Sequence, residues 1–402
     1  MINVRHIILL GLLCSSGQTQ IQVQMAQATE ILALPYTRVE LSRKYYTEGA
    51  AIADINRDSK PDVVSGPFWY PGPKFDKSHP IYAARAFPIG GYADRFFSFP
   101  HDFNGDGWID VMTMGQPGQP AYWFENPRKT GPLWKRWTIW ATCGTESPIL
   151  IDLDRDGMPE IICETGNYLI YLKADPKDPR KTWTPHRVSP LRGFPVYTHG
   201  IGAGDINGDG RVDILTLVGW FEQPKSLVGD PPWPAHPGRF GHQWGGARIF
   251  AHDVDGDGDK DIITSMNAHG YGLSWFEQTK TGNTIVFREH VIQKTSKDPT
   301  DPHQFSQPHG LTLADIDGDG RLDIVTGKTF FAHNGTDPGA LDAPVLYCFR
   351  FDNTAGIRFV PSPLDIISGA GRQIATGDLD GDGRVDIAVA GKKGQFLFLS
   401  GR

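Results

Sequence analysis

The chain has 402 residues, a formal net charge of −7, 47 glycines and 11 tryptophans. No Pro/Gly-rich linker divides it, so one large closed domain is expected. It carries no basic stripe and no nucleic-acid-binding motif, so no nucleic-acid partner is expected.

The start, "MINVRHIILLGLLCSSG", sets Arg5 before an apolar run from Ile7 to Leu13. That run is too short for a membrane span and reads as a Sec signal peptide. Residues 1–28 are then signal peptide and spacer, with cleavage after Gly17 or Ala28, and the mature protein is secreted or periplasmic. Cys14 resembles a lipoprotein cysteine, but Leu13 before it is not small, so lipidation is not expected. A single folded domain spans 35–402, beginning with the β-patterned stretch "YTRVELS" at Tyr36.

From there one nonapeptide recurs. It first appears as "DINRDSKPD", which aligns Asp54, Asn56, Asp58 and Asp62. "DFNGDGWID" follows with Asp102, Asn104, Asp106 and Asp110, then "DLDRDGMPE" with Asp152, Asp154, Asp156 and Glu160. "DINGDGRVD" supplies Asp205, Asn207, Asp209 and Asp213, and "DVDGDGDKD" supplies Asp253, Asp255, Asp257 and Asp261. "DIDGDGRLD" carries Asp315, Asp317, Asp319 and Asp323, and "DLDGDGRVD" carries Asp378, Asp380, Asp382 and Asp386. We refer to these as loops 1 to 7.

Oxygen donors at positions 1, 3, 5 and 9, a backbone carbonyl at 7 and a Gly at 6 make a calcium loop. An EF-hand needs a Glu at position 12 and flanking helices. Here the flanks, such as "LTLA" and "LDIVT", are short and apolar and read as strands. A lone copy reads equally well as a metal-free Asp-Gly hairpin turn. Seven copies that gather 26 of the 46 acidic residues would repel one another strongly without cations, which favours calcium. Ser59 replaces the Gly in loop 1, making it the weakest site, and Glu160 replaces the last Asp in loop 3. Seven calcium ions would move the net charge from −7 to about +7, so the acidic balance says little about a partner's charge.

The loops lie 48 to 63 residues apart. Each is followed by a second strand such as "DIVTGK". Several units add an aromatic third strand ("AYWFENP" at Ala121, "LSWFEQT" at Leu273) and a fourth ("WKRWTIW" at Trp134, "FREHVI" at Phe287). Four strands per unit and seven units predict an all-β, seven-bladed β-propeller. The last unit holds three strands, and "YTRVELS" is expected to supply its outer strand and close the ring. The Pro-rich stretch 223–238 reads as an elaborated connection. Cys143 and Cys163 can pair in an oxidising compartment, with Cys348 left as a lone thiol.

These loops and strands resemble the FG-GAP or VCBS repeat proteins over residues 36 to 402. The resemblance implies a propeller with calcium in its loops and says little of function, because the fold hosts enzymes and adhesion modules alike.

Six residues before each loop stand Glu48, Phe96, Glu146, His199, Ala247, His309 and Arg372. Each opens the innermost strand of its blade, and in a propeller those starts converge on the mouth of the central channel. Glu48, Glu146, His199 and His309 form a donor set for zinc or a similar divalent ion; a ring of salt bridges or a metal-free acid/base site is the other reading. The connections after the second strands open on the same face. Trp69, Trp220, Asn267, His269, Lys328 and Lys392 on them, together with Arg372, are candidate substrate contacts suited to a carbohydrate.

Two functions fit. In one, a metal-assisted enzyme performs β-elimination on a sugar, as a dehydratase or polysaccharide lyase, with His199, His309 and Tyr197 moving protons. The "YWFENP"-type strands and the His/Glu mouth resemble the propeller domain of the aldos-2-ulose (anhydrofructose) dehydratases. That resemblance implies a sugar substrate and metal-dependent elimination, although the domains that follow the propeller there are not expected here. In the other, a monomeric, calcium-stabilised propeller binds a glycan or a protein without catalysis.

Overall fold

The computed structural model describes residues 34–401 apart from 191, 243, 244 and 283. The expected signal peptide, Cys14 and the expected cleavage positions lie outside the described residues. Those described contain 28 strands, one short 3-10 turn at Ala332–Gly335, and no helix long and apolar enough to cross a membrane.

Loop 6 shows how the sequence makes its hairpin. Asp315 accepts the backbone N–H groups of Gly318, Asp319 and Gly320 at 2.8, 3.0 and 2.9 Å, folding the chain around its carboxylate. Gly318 and Gly320 have φ of 78° and 85°, which only glycine adopts at little cost. Asp323, at the ninth position, is buried and accepts from Ile316 N (3.0 Å) and Phe351 N (2.7 Å), fastening loop to third strand. Loop 1 holds Ser59 in the same left-handed region, at φ 66°, so its backbone is strained where the others use glycine.

On either side of loop 6, Gly310–Ala314 pairs with Asp323–Gly327, which pairs with Leu346–Asp352 and then with Arg358–Asp365, all antiparallel. Asp323–Gly327 is buried throughout, because neighbouring sheets cover both its faces. The outer strands face water: Thr284–Gln293 is largely exposed. This four-strand meander is the building unit, and five sheets are built that way.

The sixth sheet has eight strands, where separate four-stranded sheets were expected. Ile201–Gly204 and Ile249–His252, two innermost strands, pair in parallel through Gly202–Ala203 and Ile249–Phe250 and join two meanders. The cause is Gly202: a Cβ there would fall 2.2 Å from the Ile249 carbonyl oxygen, so only glycine lets these strands meet.

The cores lie between sheets. Ile162 and Tyr171 pack with Ile201, Ile214 and Phe221 of the next unit. Val63 and Tyr70 of the first sheet pack with Leu379, Ala388 and Leu397 of the last. Gln395 Nε2 donates to the Ser65 carbonyl at 2.9 Å, and Tyr70 Oη donates to Gln395 Oε1 at 2.7 Å. Tyr36–Ser42 pairs antiparallel with Gly394–Ser400 and is the outer strand of the last sheet.

A recurrent stack ties third strands to fourth strands. Trp220 lies on His236 (centroids 3.9 Å, planes 9° apart) and Trp275 on His290 (4.2 Å, 11°). Trp69 on His79 and Tyr171 on His186 repeat it. In two units a third-strand glutamate also meets the imidazole: Glu222 lies 3.0 Å from His236 Nε2, and Glu277 lies 2.7 Å from His290 Nε2.

Candidate functional site

All seven residues six positions ahead of the loops are buried. Arg372 donates from Nε to Glu146 Oε2 at 2.6 Å, pairs through Nη1 with Glu48 Oε2, and stands 4.1 Å over the Phe96 ring. The same Glu146 oxygen lies 3.4 Å from His199 Nε2 and 3.8 Å from His309 Nε2. Six strand starts drawn from across the sequence therefore meet at one hub.

The hub divides in two. Glu48 is committed to Tyr45 and Arg372, so it is not among the groups facing the imidazoles as the sequence reading had it. Arg372 is likewise committed to its two carboxylates rather than to a substrate, and burial lowers its pKa to about 10. The imidazole side gains His269, expected to touch substrate. His199, His269 and His309 each offer a nitrogen within 4.8 Å of the others. Ring centroids stand 5.0 Å apart for His199 and His269, 5.3 Å for His199 and His309, and 4.8 Å for His269 and His309.

Neither ring nitrogen of His199 or of His309 has a hydrogen-bond partner among the described residues. Buried imidazoles left unpaired are costly. Burial, and then the neighbouring imidazoles, pushes His309 well below its ordinary pKa and keeps it neutral, the form in which a histidine binds a metal. Three converging imidazoles with a carboxylate beside them fit a divalent transition metal.

Two residues that sequence reasoning missed complete the arrangement. Asp337 Oδ2 lies 3.0 Å from His269 Nδ1, and its Oδ1 lies 2.9 Å from His333 Nδ1. A carboxylate only accepts, so His269 carries its proton on Nδ1 and leaves Nε2 free. His333 stacks on His269 with centroids 4.5 Å apart. Both residues sit on the connection between the second and third strands of the loop 6 unit, where Phe331, His333 and Asn334 adopt positive φ. The signal that could have found them is "HNGTD", a histidine and an aspartate four apart in an unusually long connection.

A cavity of about 380 Å³ opens over the imidazoles, lined by Glu146, Val196, Tyr197, His199, His269, His333 and Asp337. Tyr197 is 46% exposed and is held at φ 75°, two residues from His199. Non-glycine residues held in that region concentrate at functional sites. Asn267 accepts the His269 N–H at 3.0 Å and so fixes the turn that presents the imidazole.

The other expected substrate contacts lie elsewhere. Trp69 and Trp220 are buried in the stacks on His79 and His236, because a third-strand aromatic side chain faces the neighbouring unit. Lys328 is wholly buried and donates to Gln307 Oε1 (2.7 Å) and Ser306 Oγ (3.2 Å); burial lowers it to about 8. Lys392 is lowered to about 8 by burial and then by Arg372, and donates to the Phe331 carbonyl at 3.0 Å.

At the opposite ends of the strands the acidic loops gather oxygen donors. Positions 1, 3 and 9 of loop 3 (Asp152, Asp154, Glu160), loop 5 (Asp253, Asp255, Asp261) and loop 6 (Asp315, Asp317, Asp323) converge within 4.8 Å. Burial, opposed by backbone hydrogen bonds, lifts Asp62 and Asp261 to about 6, and Asp110, Asp213 and Asp323 to about 7. All-oxygen clusters whose carboxylates are pushed toward neutrality fit a hard cation such as calcium. Cys143 Sγ and Cys163 Sγ stand 3.4 Å apart as free thiols.

Residues 102–163 and 253–326 match the FG-GAP-like repeat, and 370–395 match the FG-GAP repeat. No curated protein matches the chain. Among solved structures, a Bacillus licheniformis rhamnogalacturonan lyase is 13% identical, with TM-score 0.48 over 91% of this chain and 75% of that one. The V. cholerae biofilm matrix protein Bap1 is 9% identical, with TM-score 0.47 over 92% and 91%. An Agrocybe aegerita lectin that recognises non-reducing terminal N-acetylglucosamine is 15% identical, with TM-score 0.46 over 83% and 81%. At these values the likeness says nothing of function.

Proposed function

The chain belongs to the FG-GAP repeat propellers, and on that premise we propose that it is a secreted enzyme of sugar β-elimination, a dehydratase or polysaccharide lyase. Counting the eight-stranded sheet as two blades would give seven, and the pairing of Tyr36–Ser42 with Gly394–Ser400 supports a ring closed by the N-terminal strand. Calcium in the acidic loops stiffens one face; the hub on the other does the chemistry.

The observation that carries this reading is the convergence of His199, His269 and His309, with the ring nitrogens of His199 and His309 unpartnered, beneath a cavity of about 380 Å³. These three imidazoles, with Glu146 adjacent, would hold a divalent transition metal. When bound, that ion supplies a Lewis acid for a substrate oxygen, which acidifies the neighbouring C–H. The phenol of Tyr197 stands at the cavity wall, in position to exchange a proton with a bound sugar. Asp337 holds His269 and His333 in fixed tautomers. Arg372 balances Glu48 and Glu146, so the carboxylates do not repel one another inside the hub.

The test is elemental analysis of the purified protein, followed by His199→Ala, His269→Ala and His309→Ala. Each variant is expected to lose the transition metal and keep its β-sheet circular dichroism. The pairing of Arg372 with both glutamates supports a second reading, in which the hub is an electrostatic plug and the propeller binds a glycan or protein. Wild-type protein that contains calcium alone would select it.

A further inference from the structure

Loop 3 breaks the repeat in two places, and the two breaks touch. Its ninth residue is Glu160, one methylene longer than the aspartate found elsewhere. The second break is on the third strand. Hairpin register pairs Ile161 with Leu172, as it pairs Val111 with Phe124, Ile214 with Phe221 and Ile262 with Phe276. The next residue in those three other units is Glu125, Glu222 or Glu277; in this one it is Lys173. Where three repeats add a negative charge beside the loop, this repeat places an ammonium.

Lys173 Nζ lies 2.8 Å from Asp154 Oδ2, 2.8 Å from Asp156 Oδ2 and 2.7 Å from Glu160 Oε1. Those are the third, fifth and ninth positions, which an ion would use. An ammonium has three donors and no acceptor, so three carboxylates satisfy it completely. We propose that Lys173 is the resident cation of loop 3, and that this loop holds no calcium while its sister loops do. The inference rests on the calcium reading of those sisters. In loop 6 the corresponding residue is Arg350, whose Nη1 stays 3.9 Å from Asp317 while its Nε donates to Ser362, so that loop remains open.

The test is anomalous diffraction from crystals of the mature chain grown with terbium(III), a calcium surrogate. Ions are expected in loops 5 and 6 and none in loop 3. Lys173→Met should then gain one lanthanide in loop 3 and one equivalent of calcium in a titration. A wild-type ion in loop 3 alongside those in loops 5 and 6 overturns this inference alone. So does a Lys173→Met protein that folds but gains no ion. If that variant does not fold, the wild-type crystals decide. Ions in none of the loops would overturn the calcium reading, and this inference with it.

Discussion

Arg372 donates from Nε to Glu146 Oε2 at 2.6 Å, joining residues 226 apart in sequence inside the hub. Its Nη1 reaches Glu48 Oε2. Both glutamates are buried, so removing the guanidinium strands two carboxylates in a low-dielectric interior. Arg372→Met is therefore expected to destabilise the protein by about 3–5 kcal/mol, the usual cost of breaking a buried ion pair from one side. Adding Glu48→Gln and Glu146→Gln should return part of that loss. Urea unfolding measures both, and an unchanged midpoint for Arg372→Met would show that the pairing does not support the fold.

Asp337 makes a second prediction. It touches no atom at the centre of the three imidazoles, yet it fixes the tautomer of His269. Partners of this kind are worth about 10–100-fold in metal affinity. Asp337→Asn should weaken zinc binding by that factor in competition with a chelating dye, whereas His269→Ala should abolish it. Equal affinity in wild type and Asp337→Asn would remove Asp337 from the site.

What could be read from sequence follows from which distances the repeat keeps constant. The innermost strand runs from hub to loop over six residues in every unit, so aligning on the loops brings Glu146, His199, His309 and Arg372 to one place. Glu48 obeys the same offset, but its pairing with Tyr45, three residues earlier, is a local contact that no repeat pattern reveals. His269, His333 and Asp337 sit on connections after second strands, and these vary in length. The one after Asp62–Ser65 is two residues, whereas the one after Asp323–Gly327 runs from 328 to 345. No fixed offset locates a side chain on such a segment. The odd Glu160 was visible as a departure, but its lysine partner becomes apparent only once third-strand register is known.

The loop carboxylates predict an unusual pH dependence. In the metal-free fold Asp62 and Asp261 titrate near 6, and Asp110, Asp213 and Asp323 near 7, each raised chiefly by burial. An unfolded aspartate titrates near 3.9. The folded state therefore holds more protons than the unfolded state between about pH 4 and 7. Stability from these groups is fully present below the unfolded value and is lost as pH rises through the folded values. Chelated protein should melt at a higher temperature at pH 5.5 than at pH 7.5. Calcium competes with those protons, so saturating calcium should raise the melting temperature by many degrees at pH 7.5 and by less at pH 5.5. Differential scanning calorimetry at the two pH values, with and without chelator, reads all four combinations; a calcium effect independent of pH would contradict the assignment.

The strand Tyr36–Ser42 is the outermost strand of a sheet whose other three strands come from the opposite end of the chain. Its removal would uncover Gly394–Ser400, which is largely buried and carries Phe396, Leu397 and Phe398. An exposed apolar strand edge is a template for pairing with other chains. A protein lacking residues up to 42 should therefore aggregate or dimerise, and a peptide of residues 34–44 added in trans should restore the monomer. Light scattering with and without the peptide measures this. A truncated protein that stays monomeric, with the melting temperature of the mature chain, would show that the terminal strand is a passive cover and that the sheets hold together without it.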